Sequence, residues 1–414
     1  MADSSIPGFY EKSRDERLGI VADFAGLSDE ELGILRGSGG IGFEQADKMI
    51  ENAIGTFSLP LGVATNFRIN GNDCLVPMVI EEPSVIAAAS KGAKTARVCG
   101  GFAASAEKSY STGQIQILGA DDSSVQKIAD SEARILEIAN QQSRTLSKTG
   151  RGAKKVSCRE IQAESCRMLI VEILVDVGDA MGANITNTMC EAVSPLIEDL
   201  TSGRALLRIL SNYSVQRLAR ASATFAKDAV GGKDVVNDML LAYEFADADV
   251  YRAVTHNKGV MNGVISVANA TGQDSRAIEA AANAYAVRSG RYRSLTRWKK
   301  DKHGNLVGEL ELPLSVGIVG GIANVHPLAR VCTRILGASS AQDLACVMAA
   351  AGLAQNYSAI RALATEGIQK GHMRLHARNL AAAAGAKPDE IDGLVKKMIQ
   401  HKKISLDGAR ELLG

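Results

Sequence analysis

The sequence predicts an α+β protein, in which a helical frame is interrupted by an inserted domain of the ferredoxin-like type and closed by a small helical unit at the C-terminus. Three observations lead there. With 414 residues the chain is too long for one core of ordinary size, so two or three units are expected. Between Gln114 and Ser211, short apolar strand-like runs alternate with longer amphipathic ones. Beyond it, helical periodicity resumes over Val235–Asp249 and Ser275–Val287.

Taken in order, Ser28 followed by Glu31 has the spacing of a capping box and predicts a short helix ending near Gly37. "GSGGIG", Gly37 to Gly42, satisfies G-x-G-x-x-G letter for letter. A dinucleotide fingerprint must follow a buried strand, whereas this run follows a charged helix and has no acid at the required distance, so it reads as a flexible loop. "QIQIL" predicts a strand, Asp122–Gln142 a helix, "VSCREIQAES" and "RMLIVEILVDV" two strands, Asn184–Leu200 a helix and "ALLRILS" a strand. That β-α-β-β-α-β order is the split βαβ of ferredoxin-like domains. The alanine-rich stretches Ala341–Leu353 and Ala377–Ala386 fit tightly packed helices, and "KPDEIDGLVKKMIQHKKISLDGARELLG" predicts two short helices in a mobile terminal unit.

Composition narrows the function. Forty-seven basic and forty-six acidic residues leave a net charge of +1, and aromatics are only 4%. That balance provides neither the field nor the stacking platforms of a nucleic-acid binder, and no field for an anionic membrane. The seven cysteines are dispersed without a C-x-x-C pair, as expected of reduced thiols in a cytoplasmic protein. The first residues hold acids and no apolar block, so no signal peptide is expected, and the run "MLIVEILVDV" is too short to span a bilayer.

Four stretches can carry chemistry. "THNKGVMNG", Thr255–Gly263, sets Lys258 among Asn257, Asn262 and His256 without apolar periodicity, and reads as a glycine-hinged loop offering a cation to a developing oxyanion, or as a solvated loop. In "VPMVIEEPSVIAAAS", Glu81 and Glu82 end an apolar strand and Ser84 opens a helix. Such an acid is either a proton donor, kept protonated by desolvation and its like-charged neighbour, or a complement to the helix dipole. Asp274 in "ATGQDSRAIEA" has the position of an ordinary helix cap. His372 and His376 in "GHMRLHARN" share a helical face, but no carboxylate or cysteine completes a metal site nearby, so a general acid is the better reading and no metal is expected.

Together these stretches, with "ENAIGTFSLPLGVATNF" and "DVGDAMGANITNTMCEA", resemble the class II 3-hydroxy-3-methylglutaryl-coenzyme A (HMG-CoA) reductases, in order and from about Ile6 to the C-terminus. The resemblance implies a large helical substrate and dimerisation domain (residues 1–110 and 215–366), a ferredoxin-like, non-Rossmann cofactor domain (111–214) and a C-terminal flap (367–414). It implies reduction of HMG-CoA to mevalonate and coenzyme A with NAD(P)H. The same sites run in the oxidative direction, or a non-catalytic binding homologue, are the alternatives. By motif, Glu82, Lys258, Asp274 and His372 are implied as catalytic, with Asp274 lying between Glu82 and Lys258. Ser84, Arg252 and Asn262 are implied as substrate contacts. Asp179, Met181, Gly182, Ala183, Asn184 and Asn212 are implied as cofactor contacts. A homodimer with shared active sites, Glu51–Gly55 at its interface, is implied too, with further assembly open.

One departure bears on the cofactor. Where relatives commonly carry "GGGC", this chain has "SKTGRGAKKVSC", and between Glu137 and Glu160 it holds Arg144, Lys148, Arg151, Lys154, Lys155 and Arg159 with no acid. A 2′-phosphate attracts such a set, so NADP(H) is favoured, with Arg144 as its contact; Ser143 could still serve the ribose of NAD(H).

Overall fold

The computed structural model describes residues 3–37, 40–365, 367, 377–387 and 389–413. Its first sheet starts with a hairpin, β1 Leu61–Ile69 and β2 Asn72–Val79, joined through Asn70 and Gly71, both at positive φ. An Asn-Gly pair is what a two-residue turn of that kind demands, because both residues adopt left-handed backbone. The helix Val85–Arg97 follows, and β3, Phe102–Ala106, returns parallel to β1.

The chain then enters the insert. β4 Tyr110–Leu118, β5 Gly152–Gln162, β6 Arg167–Asp176 and β7 Arg204–Ser211 form an antiparallel sheet of order β5-β6-β4-β7. Ile115 and Ile117 of β4 alternate inward with Val171, Ile173 and Val175 of β6 against Ile135, Met189 and Val193 of the helices Glu132–Gln141 and Ala183–Thr201. This is the predicted β-α-β-β-α-β unit. The single helix expected over Asp122–Gln142 is two, Ser124–Asp130 and Glu132–Gln141, because Ser131 (φ −100°, ψ 6°) leaves helical geometry.

β8 Leu218–Phe225 pairs with β3, and β9 Thr296–Lys300 and β10 Leu306–Pro313 complete a six-stranded sheet of order β2-β1-β3-β8-β10-β9. The larger unit is therefore not simply helical. Its strands escaped the sequence reading because "FAASA" and "LARASATF" are built of small residues that score poorly as strand formers, yet they fit under a closely packed helix. That helix, Ala341–Ala364, is buried along nearly its whole length.

Thr255–Gly263 is corrected outright: it is the middle of a 21-residue helix, Val250–Ala270, capped by Asp249. A β-carbon on Gly263 would stand 2.5 Å from the Ala351 carbonyl oxygen, so the glycine marks a backbone-to-backbone crossing with the central helix rather than a hinge. Asn257 is satisfied by tertiary bonds, accepting from Leu295 N (2.9 Å) and donating to the Arg293 carbonyl (2.9 Å). Tertiary packing here overrides weak helix propensity.

The capping box at Ser28 and Glu31 is present and opens the helix Asp29–Arg36. Of "GSGGIG", Ser38 and Gly39 lie outside the described residues; a helix and no strand precedes it. Residues 377–383 and the helices Ile391–Gln400 and Leu406–Leu413 share a separate small core around Ala377, Leu394, Met398 and Ala409. Among the described residues no single helix is long and apolar enough to cross a membrane.

Candidate active site

Lys258 and Asn262, four residues apart, share a face of their helix, and both reach Glu82. Lys258 Nζ donates to Glu82 Oε2 at 2.5 Å, and Asn262 Nδ2 to the same oxygen at 3.4 Å. Glu82 stands between the end of β2 and the helix Val85–Arg97, so the hairpin and that helix together present it to Lys258. Ser84 takes the left-handed conformation (φ 76°) at the helix start, which is costly for a residue with a side chain, and its hydroxyl is buried with no partner among the described residues. A strained backbone thus carries a hydroxyl left open to a ligand.

These groups line a cavity of about 440 Å³ with Lys91, Arg252, Gln355 and Arg361. Sequence reasoning missed Gln355, which is 6% exposed with an Oε1 that has no partner among the described residues; nothing in its alanine-rich surroundings marks it. Partial burial lowers the pKa of Arg252 from its usual value. A larger cavity of about 700 Å³ lies on the six-stranded sheet, lined by ion pairs such as Arg220–Glu311 and Arg293–Asp247, and shares no residue with this cluster.

His256, beside Lys258, is 2% exposed, with Nε2 2.7 Å from Thr296 Oγ1 and 3.2 Å from Asn356 Nδ2. Burial, reinforced by Arg252, pushes its pKa from 6.5 down to about 3. Between those values the unfolded chain binds one more proton than the folded one. Stability from this group is therefore complete above pH 6.5 and declines as pH falls towards 3, by ~1.4 kcal/mol per pH unit. We expect denaturant titrations of His256→Asn to show a flatter loss between pH 6 and pH 4 than the wild type; identical slopes would place the acid-sensitive group elsewhere.

Asp274 is not brought to this cluster within one chain. It caps the helix Ser275–Ala286, accepting from Ala277 N at 3.1 Å, and pairs with Arg276. Within one chain Asp274 pairs with neither Glu82 nor Lys258 and does not line their cavity. His372 and His376 lie outside the described residues. Among the described residues no group of three or more acidic, histidine or cysteine side chains could hold a metal ion.

The six other expected contacts gather at one end of the insert. β6 ends at Asp176 opposite Tyr110, and Thr112 pairs with Ser211, so the turn 177–182 and Asn212 flank the same edge. Gly182 (φ 94°) is the cap of the helix Ala183–Thr201, and a β-carbon there would collide with Val177. Asn184 and Asn212 are exposed, Met181 and Ala183 half-buried. Asp179 faces inward instead: its Oδ1 accepts from Ala341 N (3.1 Å), its Oδ2 meets Arg151 (3.4 Å) and its carbonyl accepts from Ile318 N (2.8 Å). Arg144 is exposed at the start of the short helix Arg144–Lys148.

A family model described as hydroxymethylglutaryl-coenzyme A reductase matches residues 13–377. The 3-hydroxy-3-methylglutaryl-coenzyme A reductase of Archaeoglobus fulgidus is 53% identical over 412 residues, covering 99% of this chain and 94% of its own. A solved reductase from Streptococcus pneumoniae superposes with a TM-score of 0.84 at 40% identity, covering 98% of each chain. A second, described as a class II enzyme bound to NADPH in open conformations, gives 0.83 at 40% identity over 97% of this chain and 99% of that one. Since likeness in sequence and in fold runs through nearly the full length of each, the chain belongs to the hydroxymethylglutaryl-coenzyme A reductase family.

Proposed function

We propose that this protein reduces HMG-CoA to mevalonate and free coenzyme A in two hydride transfers. The observation that carries the reading is the Glu82–Lys258–Asn262 cluster, set with the unused Ser84 hydroxyl at one cavity. The turn 177–182 fits a dinucleotide: Gly182 lets backbone approach closely, and the first N–H groups of a 19-residue helix face the same place. When bound there, the reduced nicotinamide supplies hydride.

The chain's own groups do the rest. Lys258 neutralises the charge that grows on the thioester oxygen, and Arg252 forks onto the substrate's free carboxylate. Ser84 and Asn262 hold the substrate's oxygens. Glu82 donates a proton to the second alkoxide through the pair it forms with Lys258, and His372 protonates the departing coenzyme A thiolate.

The working unit is a homodimer in which Asp274 enters the partner's cluster. Its absence from the cavity within one chain supports this, as do the fully exposed Ile54 of Glu51–Gly55 and the exposed Phe57, Leu241, Phe245, Tyr251 and Val254. Initial rates at the nicotinamide absorbance band, with HMG-CoA and each reduced cofactor, test the reading; absence of thioester-dependent oxidation with either would overturn it.

NADPH is the favoured reductant. Arg144 is exposed beside Lys148, while Arg151 is engaged by Asp179, which leaves Arg144 free to meet a 2′-phosphate. Arg144→Glu is expected to raise KM for NADPH at least about tenfold, ~1.4 kcal/mol, and to leave that for NADH nearly unchanged. A tenfold wild-type preference for NADH in kcat/KM would return this basic segment to solvent.

A further inference from the structure

Arg217 lies just beyond the insert, is 3% exposed, and has no carboxylate within salt-bridge distance among the described residues. Its guanidinium donates instead to four neutral acceptors. Nη1 reaches the Met181 carbonyl (2.8 Å) and Ser315 Oγ (3.1 Å), and Nη2 reaches the carbonyls of Val316 (2.8 Å) and Ala180 (3.2 Å). Burial lowers its pKa to about 10, still far above neutrality, so the group is a buried cation. A buried cation is costly and breaking its partners costs more, so such a residue holds whatever supplies its acceptors.

Those acceptors come from two places. Ala180 and Met181 belong to the turn assigned to the dinucleotide, whereas Ser315 and Val316 follow β10 of the six-stranded sheet. The next residue, Gly317, completes the junction. Its N–H donates to Gln273 Oε1 (2.9 Å), and a β-carbon on it would collide with Met181 N. Gln273 immediately precedes Asp274. One guanidinium thus joins the cofactor turn to the segment that fixes the Asp274 loop.

We propose that Arg217 is a positioning residue that sets the cofactor turn, 177–182, at a fixed distance from the Gln273–Asp274 loop. The proposal rests on the functional reading above. It places control of the geometry between the hydride donor and Asp274 in a residue that does not line the Glu82–Lys258 cavity of its own chain.

Arg217→Met and Arg217→Lys test it, with four readouts: melting temperature, NADPH affinity by fluorescence, HMG-CoA affinity by calorimetry, and amide exchange. In Arg217→Met, NADPH affinity and kcat are each expected to fall at least tenfold while HMG-CoA affinity stays within twofold. Exchange should accelerate at least tenfold in 178–183 and 317–319 and remain unchanged in 85–97 and 250–270. Arg217→Lys should recover part of both losses, since an ammonium can reach some of the four acceptors but not all. A folded Arg217→Met with NADPH affinity, kcat and exchange all within twofold of the wild type would overturn the proposal. If that variant does not fold, Gly317→Ala drives the same surfaces apart without touching Arg217; equal losses of NADPH and HMG-CoA binding there would overturn it. Should the wild type bind neither ligand, the functional reading fails, but the exchange comparison still decides whether Arg217 holds the turn.

Discussion

Replacing Lys258 by alanine is expected to lower kcat at least a thousandfold, ~4 kcal/mol in the barrier, with HMG-CoA affinity changed only a few-fold. The asymmetry follows from the site. Arg252, Ser84 and Asn262 remain to hold the substrate, but the cation facing the new oxyanion is gone. Worse, Glu82 loses the donor 2.5 Å from its oxygen, and with it the pair through which it passes a proton to the alkoxide. Steady-state rates and calorimetry on the same preparation separate the two effects. A variant that kept more than about a tenth of wild-type turnover, equivalent to only ~1.4 kcal/mol, would remove Lys258 from the chemistry.

Mixing two dead variants is expected to restore activity. Lys258→Ala and Asp274→Asn should each be nearly inactive alone, because every site needs both groups. If Asp274 acts on its partner's lysine, a mixed dimer assembles one site lacking both groups and one lacking neither. Random reassortment makes half the dimers mixed, so activity should return to about a quarter of wild type, as isologous symmetry requires. The measurement is turnover after co-refolding the variants in equal amounts. No recovery, with mixed dimers shown to be present by mass, would confine Asp274 to its own chain and leave it the helix cap it forms there.

How much of this was legible beforehand depends on where the information resides. The insert was, because alternation in "QIQIL" and "RMLIVEILVDV" reports one buried face and needs no knowledge of the rest of the chain. The six-stranded sheet was not: alanine and serine in β3 and β8 reflect how near the central helix comes, and that is a property of the assembled fold. The same cause produced the error at Thr255–Gly263. Glycine and asparagine there serve a helix crossing and a tertiary hydrogen bond, and local propensity cannot tell those uses from a loop. The site residues Glu82, Ser84, Lys258 and Asn262 could be named from their motifs, but only the folded chain shows a single carboxylate oxygen accepting from both Lys258 and Asn262. Arg217 and Gln355 carried no signal, since each owes its character to burial in the assembled fold, Arg217 against backbone carbonyls of distant segments.

The insert leaves and rejoins the larger sheet between two adjacent strands, Ala106 of β3 being paired with Ala219 of β8. Its ends are therefore one strand spacing apart, ~5 Å, which a two-residue turn can close. Each unit also has its own sheet and its own apolar core. For the folding chain, the larger sheet can zip β3 to β8 only after this long loop has closed, and a loop that has already condensed into a domain with adjoining ends closes at far lower entropic cost than an open one. We therefore expect the inserted unit to condense first and the larger sheet to close around its neck.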